Sequence, residues 1–325
     1  MTKKKLVEIN DLKTHFFVEG NVAKAVNGVS FDIFEGEVLG IVGESGSGKS
    51  VTALSILRLI PDPPGKIVSG SIRFRGRELL DLSWEDVRKV RGNDISMIFQ
   101  EPMTSLNPVY TVGDQIMEPI VLHQDKTREE AREIGIHMMD LVGIPSARER
   151  FDQYPHQFSG GMRQRVMIAM ALACDPYLLI ADEPTTALDV TIQAQILDLM
   201  MEIKNKKPES GIVMITHDLA VIAETCQRVI VMYCGRIQEI ADTKTLFAEP
   251  LHPYTTGLMA SIPSLGTKKD RLYTIPGNVP SIMNLPQGCS FCTRCEKKLD
   301  KCEHEMPELR EIKPGHFVRC HLYNE

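Results

Sequence analysis

One stretch of the chain has the residue types and spacing that binding of a phosphate group requires. It reads Gly43-Glu44-Ser45-Gly46-Ser47-Gly48-Lys49-Ser50, which fits the pattern G-x-x-x-x-G-K-[ST], and it lies between an apolar strand pattern and a helical pattern. The glycines let backbone N–H groups converge on a phosphate at a helix N-terminus, Lys49 adds a positive charge, and Ser50 offers a hydroxyl to Mg²⁺. The predicted phosphate-binding residues are Gly43, Ser45, Gly46, Ser47, Gly48, Lys49, Ser50 and Val51.

A second stretch, 178–183, ends in two adjacent acidic residues. Leu178-Leu179-Ile180-Ala181-Asp182-Glu183 consists of four apolar residues followed by two carboxylates. This pattern is typical of a buried strand that delivers side chains to the carboxyl edge of a parallel sheet, where ligands bind. We expect Asp182 to hold Mg²⁺ through its water shell and Glu183 to act as general base on the attacking water. Taken alone, the run also fits a strand that ends at a solvated acidic turn; the upstream phosphate loop favours the Mg²⁺ interpretation.

Two further features are weak signals by themselves. Ser159-Gly160-Gly161 precedes an apolar helical pattern and forms a helix N-terminus that can bind a second phosphate group. His217 follows the strand pattern at 212–216, which we expect to place its imidazole beside Glu183.

The elements that position these groups alternate between strands and helices over about the first 245 residues. This alternation predicts an α/β domain with a largely parallel sheet. The strand patterns lie at 37–42, 95–100, 178–181, 212–216 and 229–233. Between about 101 and 165 helix-spaced apolar residues replace them, notably at 112–122 and 128–142, which predicts an inserted helical subdomain. After residue 250 prolines interrupt every segment, so we place a boundary there, between 1–250 and 251–325.

The composition limits the classes of protein to consider. The chain has 325 residues, of which 43% are hydrophobic and 25% charged, as in an average folded globular protein. A formal net charge of −6 provides no basic field for nucleic acid, so we expect no nucleic-acid partner. The apolar runs are too short to span a bilayer, and the lysines at positions 3–5 are not followed by the apolar core of a signal peptide. We expect the chain to stay in the cytoplasm.

The order of the phosphate loop, Gln100, Ser159-Gly160-Gly161, Asp182-Glu183 and His217 resembles that of the nucleotide-binding subunit of ATP-binding cassette (ABC) transporters. The resemblance covers roughly residues 5 to 245. It implies an ABC ATPase, with a P-loop NTPase core that contains a parallel-sheet RecA-like subdomain and an inserted helical subdomain. ATP and Mg²⁺ are the implied cofactors.

The same resemblance implies roles for individual residues. Gln100 would be the sensor of Mg²⁺ and water, and His217 the switch histidine. Ser159-Gly160-Gly161 would contact the γ-phosphate held by a partner cassette, and Thr186-Ala187-Leu188-Asp189 would be a dimer-contact loop. An aromatic ring ahead of the phosphate loop stacks on adenine in this family, and the candidates are Phe16 and Phe17. The chain departs from the general signature at Met162, where the family has Gln, while both signature glycines are kept.

Three other stretches narrow the resemblance to the ATPase subunits of dipeptide, oligopeptide and nickel importers. They are 99–108, Leu251-His252-Pro253-Tyr254-Thr255 and Ile275-Pro276-Gly277. The resemblance implies an ATPase on the cytoplasmic face of the membrane that powers uptake of di- or oligopeptides. Its partners would be a second ABC ATPase subunit, identical or related, two integral membrane permease subunits and, indirectly, an extracytoplasmic peptide-binding protein. Alternatives are a nickel importer ATPase, a soluble ABC ATPase that acts on nucleic acid or ribosomes, and a redox-sensing binding module.

Five cysteines crowd into the C-terminal segment, at positions 289, 292, 295, 302 and 320. The segment is too short and too rich in proline to build its own apolar core, so we expect a metal to hold it together. The spacing fits zinc or an iron–sulfur cluster equally. The importer resemblance implies a [4Fe–4S] cluster on Cys289, Cys295, Cys302 and Cys320, with Cys292 outside the set. We expect a structural role, such that metal loss loosens residues 285–322 before it affects nucleotide binding.

Overall fold

A computed structural model of the chain describes residues 3–100, 105–185, 190–261 and 273–323. Its strands are β1 (Lys5–Val18), β2 (Asn21–Phe34), β3 (Val38–Val42), β4 (Gly65–Phe74), β5 (Arg77–Glu78), β6 (Ile95–Ile98), β7 (Leu178–Asp182), β8 (Gly211–Ile215), β9 (Arg228–Tyr233), β10 (Arg236–Asp242), β11 (Arg310–Lys313) and β12 (His316–Val318). Its α-helices are α1 (Lys49–Ile56), α2 (Trp84–Val90), α3 (Val112–His123), α4 (Arg128–Leu141), α5 (Ala147–Arg150), α6 (Gly160–Leu172), α7 (Val190–Lys206), α8 (Leu219–Thr225), α9 (Thr243–Ala248), α10 (Pro253–Ala260) and α11 (Lys301–His304).

Contacts between residues divide the chain into two compact units. The first, called here the acidic-strand unit, is built mainly from Asp81–Ile215, with Phe34–Glu37 and the residues up to Leu6. The second, called the phosphate-loop unit, contains Val7–Ile33, Val38–Leu80 and the residues from Thr216 onward.

The acidic-strand unit contains a parallel sheet in the order β6-β7-β8. Every residue of β7 and β8 is buried, as expected for strands that are covered on both faces and read as continuous apolar runs. In this sheet Ala181 pairs with Ile98 and Asp182 pairs with Ile215. The carboxyl ends of the three strands therefore meet at one edge.

Helices α3 to α6 of the same unit lie between β6 and β7, largely in the stretch where the sequence pattern predicts helices instead of strands. Thr127 begins α4 with a capping box, in which its hydroxyl accepts from the Glu130 N–H and the Glu130 carboxylate accepts from the Thr127 N–H. The ring of Phe151 is completely buried between α3 and α4. A Cβ atom at Gly113 would clash with this ring, and one at Gly135 would lie 2.9 Å from it. The two glycines let the helices close on Phe151.

The phosphate-loop unit contains mixed and antiparallel sheets. Strand β3 pairs in parallel with β9, and β9, β10, β12 and β11 continue antiparallel. A separate sheet has the order β2-β1-β4-β5, with antiparallel β1–β4 and β4–β5 pairs. The five strand patterns found in the sequence correspond to β3, β6, β7, β8 and β9, which confirms them. The antiparallel strands were not predicted, so the fold is a mixed α/β fold rather than a largely parallel one.

Candidate active site

The predicted phosphate loop joins the end of β3 to the start of α1. Gly43 has φ 152° and Gly48 has φ 100°, a region of backbone conformation that favours glycine. A Cβ atom at Gly43 would clash with the carbonyl oxygen of Met232, and one at Gly48 with that of Ala25. The backbone can take this path only without side chains at both positions, which explains the two glycines of the motif.

Lys49 lies inside the curl of the loop and is almost completely buried. Its Nζ donates to the carbonyl oxygens of Gly43 (2.7 Å) and Glu44 (3.1 Å) and to Oγ of Ser47 (3.3 Å). Ser45 is exposed at the tip of the loop, as is the adjacent glycine. The loop thus holds a cation inside and presents its tip outside, an arrangement suited to an anionic ligand.

The first residues of α1 complete the phosphate loop. Ser50, the predicted Mg²⁺ ligand, is half-buried, as is Val51. Thr52 Oγ1 donates to the carbonyl oxygen of Gly48 at 2.8 Å, which fixes the helix start. The backbone N–H of Gly235 donates to the Ser47 carbonyl at 2.9 Å and anchors the loop to the turn between β9 and β10.

The two predicted acids lie at the carboxyl end of β7. Asp182 is buried, with only 4% of its surface exposed, and Glu183 is half-buried. Glu183 has φ 48°, an uncommon left-handed conformation for a side chain of this size, and its N–H donates to the carbonyl oxygen of Ile215 at 2.8 Å. Gln100 follows β6 and donates from Nε2 to Glu183 Oε2 at 3.1 Å. The structure therefore brings the predicted sensor and the predicted base into direct contact.

The Ser-Gly-Gly segment forms the start of α6. Ser159 is the N-cap, and its Oγ accepts from the N–H of Met162 at 3.3 Å. Ser159 and Gly160 are exposed and Gly161 is half-buried. At position 162 the cap uses the backbone N–H, which any residue except proline supplies, so the departure from the family pattern leaves this helix start intact.

Gln164 of α6 is a functional candidate that sequence reasoning missed. Its side chain is buried, and Nε2 donates to the carbonyl oxygen of Pro184, the residue after Glu183. The contact links the signature helix to the segment that carries the acids. The sequence shows a glutamine three residues after Ser159-Gly160-Gly161, but no local pattern indicates that it contacts Pro184.

The structure also describes three other predicted residues, His217, Phe16 and Phe17. His217 is exposed two residues beyond β8, just before Asp218, which caps α8 through Oδ1. Phe16 is half-buried with its ring against Gly65, while Phe17 is half exposed at the end of β1. The predicted dimer-contact loop at 186–189 lies outside the described residues.

The five C-terminal cysteines are all described and all carry free thiols. Burial raises the pKa of Cys289 to about 12 and that of Cys320 to about 11, and the neighbouring thiol of Cys302 adds to both rises. Several sulfur atoms within interaction range are a donor set suited to a thiolate-bound metal. Within the ranges that the structure describes, however, no three His, Cys, Asp or Glu side chains are arranged to hold a metal ion. The metal site predicted from the cysteine spacing is not confirmed.

The fold and these loops define a class of protein. Residues 26–186 match the family model for ABC transporters. The ATP-binding cassette MJ0796, solved as a dimer in a post-hydrolysis state bound to ADP and Pi, is similar in fold, with a TM-score of 0.66 and 27% identity over 73% of this chain and 98% of that chain. Of the helices in the described ranges, none is both long and apolar enough to cross a membrane. The chain is an ABC-type ATPase.

Relatives identify the branch of that class. Residues 238–302 match the family model for the oligopeptide/dipeptide transporter C-terminal region. The oligopeptide transport ATP-binding protein AppD of Bacillus subtilis is 53% identical over 98% of this chain and 97% of its own length. OppD of Escherichia coli, also an oligopeptide transport ATP-binding protein, is 49% identical over 97% of this chain and 92% of its own length. The chain belongs to the dipeptide/oligopeptide importer family of ABC transporter ATP-binding subunits, as its sequence motifs predicted.

Proposed function

We propose that this chain hydrolyses ATP to power the uptake of di- and oligopeptides through separate membrane permease subunits. The observation that carries the proposal is the match of the C-terminal region, residues 238–302, to the oligopeptide/dipeptide transporter model, in addition to the ATPase match. Relatives named for oligopeptide transport align along nearly the whole chain. The test is to co-purify the chain with its membrane partners, reconstitute the complex in vesicles and measure ATP-dependent peptide uptake. Accumulation of nickel instead of peptide, or association with nucleic acid, would contradict the proposal.

The phosphate loop is assigned to the ATP phosphates. Its backbone N–H groups and Lys49 would bind the β- and γ-phosphates, and Ser50 would contribute a hydroxyl to Mg²⁺. This assignment is supported by the burial of Lys49, whose Nζ donates to the carbonyl oxygens of Gly43 and Glu44 and to Oγ of Ser47. Phosphate oxygens are stronger acceptors than these carbonyls because they carry charge.

Hydrolysis is assigned to the acids at the end of β7. Glu183 would take a proton from the attacking water, and Gln100, in contact with its carboxylate, would orient that water and sense Mg²⁺. Asp182 would hold the metal through its water shell, and His217 would act as the switch. Mg²⁺ supplies charge neutralisation at the phosphates when bound.

A second cassette is part of the proposal. Ser159 and Gly160 are exposed at the start of α6, where their N–H groups are available to a nucleotide on a partner. A mixture of Ser159→Arg and Lys49→Ala chains tests this arrangement if the cassette pairs with itself, because one of the two composite sites in a mixed dimer is intact. ATPase activity should return in part on mixing. No recovery in a verified mixed dimer would contradict the shared site.

Permease docking is assigned to a cavity of the acidic-strand unit whose lining combines apolar side chains with polar and charged ones. The cavity has a volume of about 1000 Å³, and its charged lining residues Arg88, Asp114, Glu118 and Arg128 lie beside the apolar Tyr110, Met117, Val121, Leu122 and Met170. The side chain of Tyr110 is 55% exposed and that of Leu122 is 63% exposed. Large exposed apolar patches mark surfaces that bind other proteins. The proposal therefore places the ATPase at the membrane surface through its partners.

The segment 251–325 is proposed to form a separate functional extension that binds a [4Fe–4S] cluster through Cys289, Cys295, Cys302 and Cys320, with zinc as the alternative. The support is the set of four thiols, of which those of Cys289, Cys302 and Cys320 are buried and that of Cys295 is half-buried. Protein purified without oxygen should be brown and contain iron and acid-labile sulfide, and Cys289→Ser should bleach it. Cys292→Ser is the matched control and should keep the colour. Colourless anaerobic protein that contains zinc would contradict the cluster.

A further inference from the structure

The phosphate loop is held from outside by the C-terminal extension. Glu44, the second residue of the loop, accepts two hydrogen bonds from Arg294: Nη1 donates to Oε2 at 2.6 Å and Nη2 to Oε1 at 3.1 Å. The Arg294 side chain is 4% exposed, and that of Glu44 is 29% exposed. A bidentate, largely buried ion pair of this kind fixes the orientation of the Glu44 carboxylate and neutralises its charge.

Arg294 is itself rigidly placed. Its Nε donates to the carbonyl oxygen of Pro276 at 3.1 Å, and Nη2 donates to that of Ile275 at 3.3 Å. Its Nη1 donates to the hydroxyl of Tyr233 at 3.3 Å, and the guanidinium lies 5.8 Å from the centre of the Phe291 ring. These contacts occupy the guanidinium on several sides, so its position is determined by the extension and by Tyr233 of β9, and not by Glu44 alone.

A second residue of the extension holds the backbone of the loop. The hydroxyl of Tyr254 accepts the N–H of Glu44 at 2.8 Å, and Tyr254 is completely buried. The N–H of Tyr254 donates to Nδ1 of His252, which caps α10. Glu239 accepts the N–H groups of His252 (2.8 Å) and Leu251 (2.8 Å) and so ties this segment to β10. Both the side chain and the backbone of Glu44 are therefore held by residues that lie more than 200 positions away.

The negative charge of Glu44 would repel bound phosphate, and the guanidinium of Arg294 neutralises it. A carboxylate one residue from Gly43 lies in a loop that has to accept anionic phosphates, and like charges at close range repel strongly in a partly buried setting. The guanidinium neutralises the carboxylate on its outer side. Without Arg294 the loop would carry an uncompensated negative charge, and its first turn would lose its anchor.

We infer that Arg294 and Tyr254 are positioning residues for nucleotide binding, which cancel the charge of Glu44 and hold the phosphate loop in its binding conformation. The inference rests on the assignment of the loop to ATP and adds a role for the C-terminal extension in ATP affinity. It gives a chemical function to the Leu251–Thr255 and Ile275–Gly277 stretches, which the sequence marked only as features of the importer branch.

This contact changes an expectation from the sequence. Arg294 lies between Cys292 and Cys295, inside the thiol-rich segment. Loosening of that segment withdraws the guanidinium from Glu44. Nucleotide affinity should therefore fall together with the order of the segment and not after it, contrary to what the position of the segment beyond the ATPase motifs suggested.

The test compares the MgATP dissociation constants of the parent, Arg294→Gln and the double variant Glu44→Gln/Arg294→Gln. We expect Arg294→Gln to weaken binding about tenfold, a typical coupling for contacting charged groups. The double variant should regain part of this loss because the uncompensated carboxylate is gone. KM for ATP should rise in Arg294→Gln with kcat nearly unchanged, because the substitution leaves Gln100, Asp182 and Glu183 intact.

Arg319→Gln is the matched control, since Arg319 belongs to the same extension but donates to the carbonyl oxygens of Ile237 and Pro307. It should bind ATP like the parent. Tyr254→Phe removes only one hydroxyl and is the alternative test variant if Arg294→Gln does not fold. It should weaken ATP binding about threefold to tenfold. Parent-like affinity in both Arg294→Gln and Tyr254→Phe, or a double variant no better than Arg294→Gln, would overturn the inference.

The variant Lys49→Ala distinguishes a wrong positioning role for Arg294 and Tyr254 from a wrong assignment of the phosphate loop to ATP. Loss of binding in Lys49→Ala with parent-like affinity in both Arg294→Gln and Tyr254→Phe would refute the positioning role alone. Unchanged binding in Lys49→Ala would refute the assignment of the loop itself.

Discussion

Replacement of Glu183 by Gln should stop turnover while leaving ATP bound. The amide has the same size as the carboxylate, and its oxygen can accept the hydrogen bond that Gln100 donates at 3.1 Å. The backbone N–H of residue 183 still donates to Ile215, so the strand end keeps its geometry. What is lost is the ability to take a proton from water.

The magnitude follows from that single loss. General base catalysis contributes about 10²- to 10⁴-fold to a rate, which corresponds to about 3 to 5 kcal/mol of activation free energy. Binding should change by less than about threefold, because the phosphate loop is untouched and the Gln100 contact survives with a neutral acceptor.

Single-turnover phosphate release and equilibrium ATP binding should be measured on the same preparation. Glu202→Gln is the matched control, since Glu202 is an exposed carboxylate on α7 that forms an ion pair with Lys206 at 3.2 Å. It should hydrolyse ATP like the parent. Phosphate release at the parent rate by Glu183→Gln would refute the assignment of Glu183 as general base.

Three further outcomes follow from other parts of the structure. Burial lowers the pKa of His252 to about 3. The native state therefore binds fewer protons than the unfolded chain between about pH 3 and 6.5. The free energy of unfolding should fall on acidification through this window, by up to about 1.4 kcal/mol per pH unit. His252→Asn, which can still cap α10, should show a shallower slope in urea unfolding; an identical slope would contradict this source of the pH dependence. Gly113→Ala should destabilise the chain by about 1 to 3 kcal/mol through its clash with Phe151, whereas Gly160→Ala, with open space around the added methyl, should be nearly neutral in the same unfolding measurement. Phe16→Leu should weaken ATP binding about fivefold without changing the affinity for inorganic triphosphate, as loss of a stacked ring predicts; the same result with Phe17→Leu instead would assign the stacking to the more exposed ring.

The parallel strands were predictable because burial dominates their residues. Strands β7 and β8 are buried at every position, so each reads as an uninterrupted apolar run between turn residues. Strand β1 is different: its alternation of buried and exposed residues is broken by register shifts between Asn10 and Thr14. An irregularity of this kind removes the period of two on which strand prediction depends.

Candidate site residues could be predicted only where they lie next to one another in the sequence. The phosphate loop and the acids of β7 are contiguous, so residue type and spacing identify them. Gln164, Tyr254 and Arg294 make contacts with residues that lie 20, 210 and 250 positions away, and no local pattern specifies those partners. Tertiary packing determines them, which is why the sequence could not.

The Arg294–Glu44 pair also bears on how this branch of the family can diverge. The general motif leaves the position after the first glycine open to any residue. Here the buried guanidinium restricts that choice, since an apolar residue at 44 would leave a buried cation unpaired and a basic residue would oppose it. Positions 44 and 294 should therefore change together among homologues, with acid at 44 present where arginine is present at 294. The order in which such substitutions accumulate is then constrained, because neither change alone is neutral.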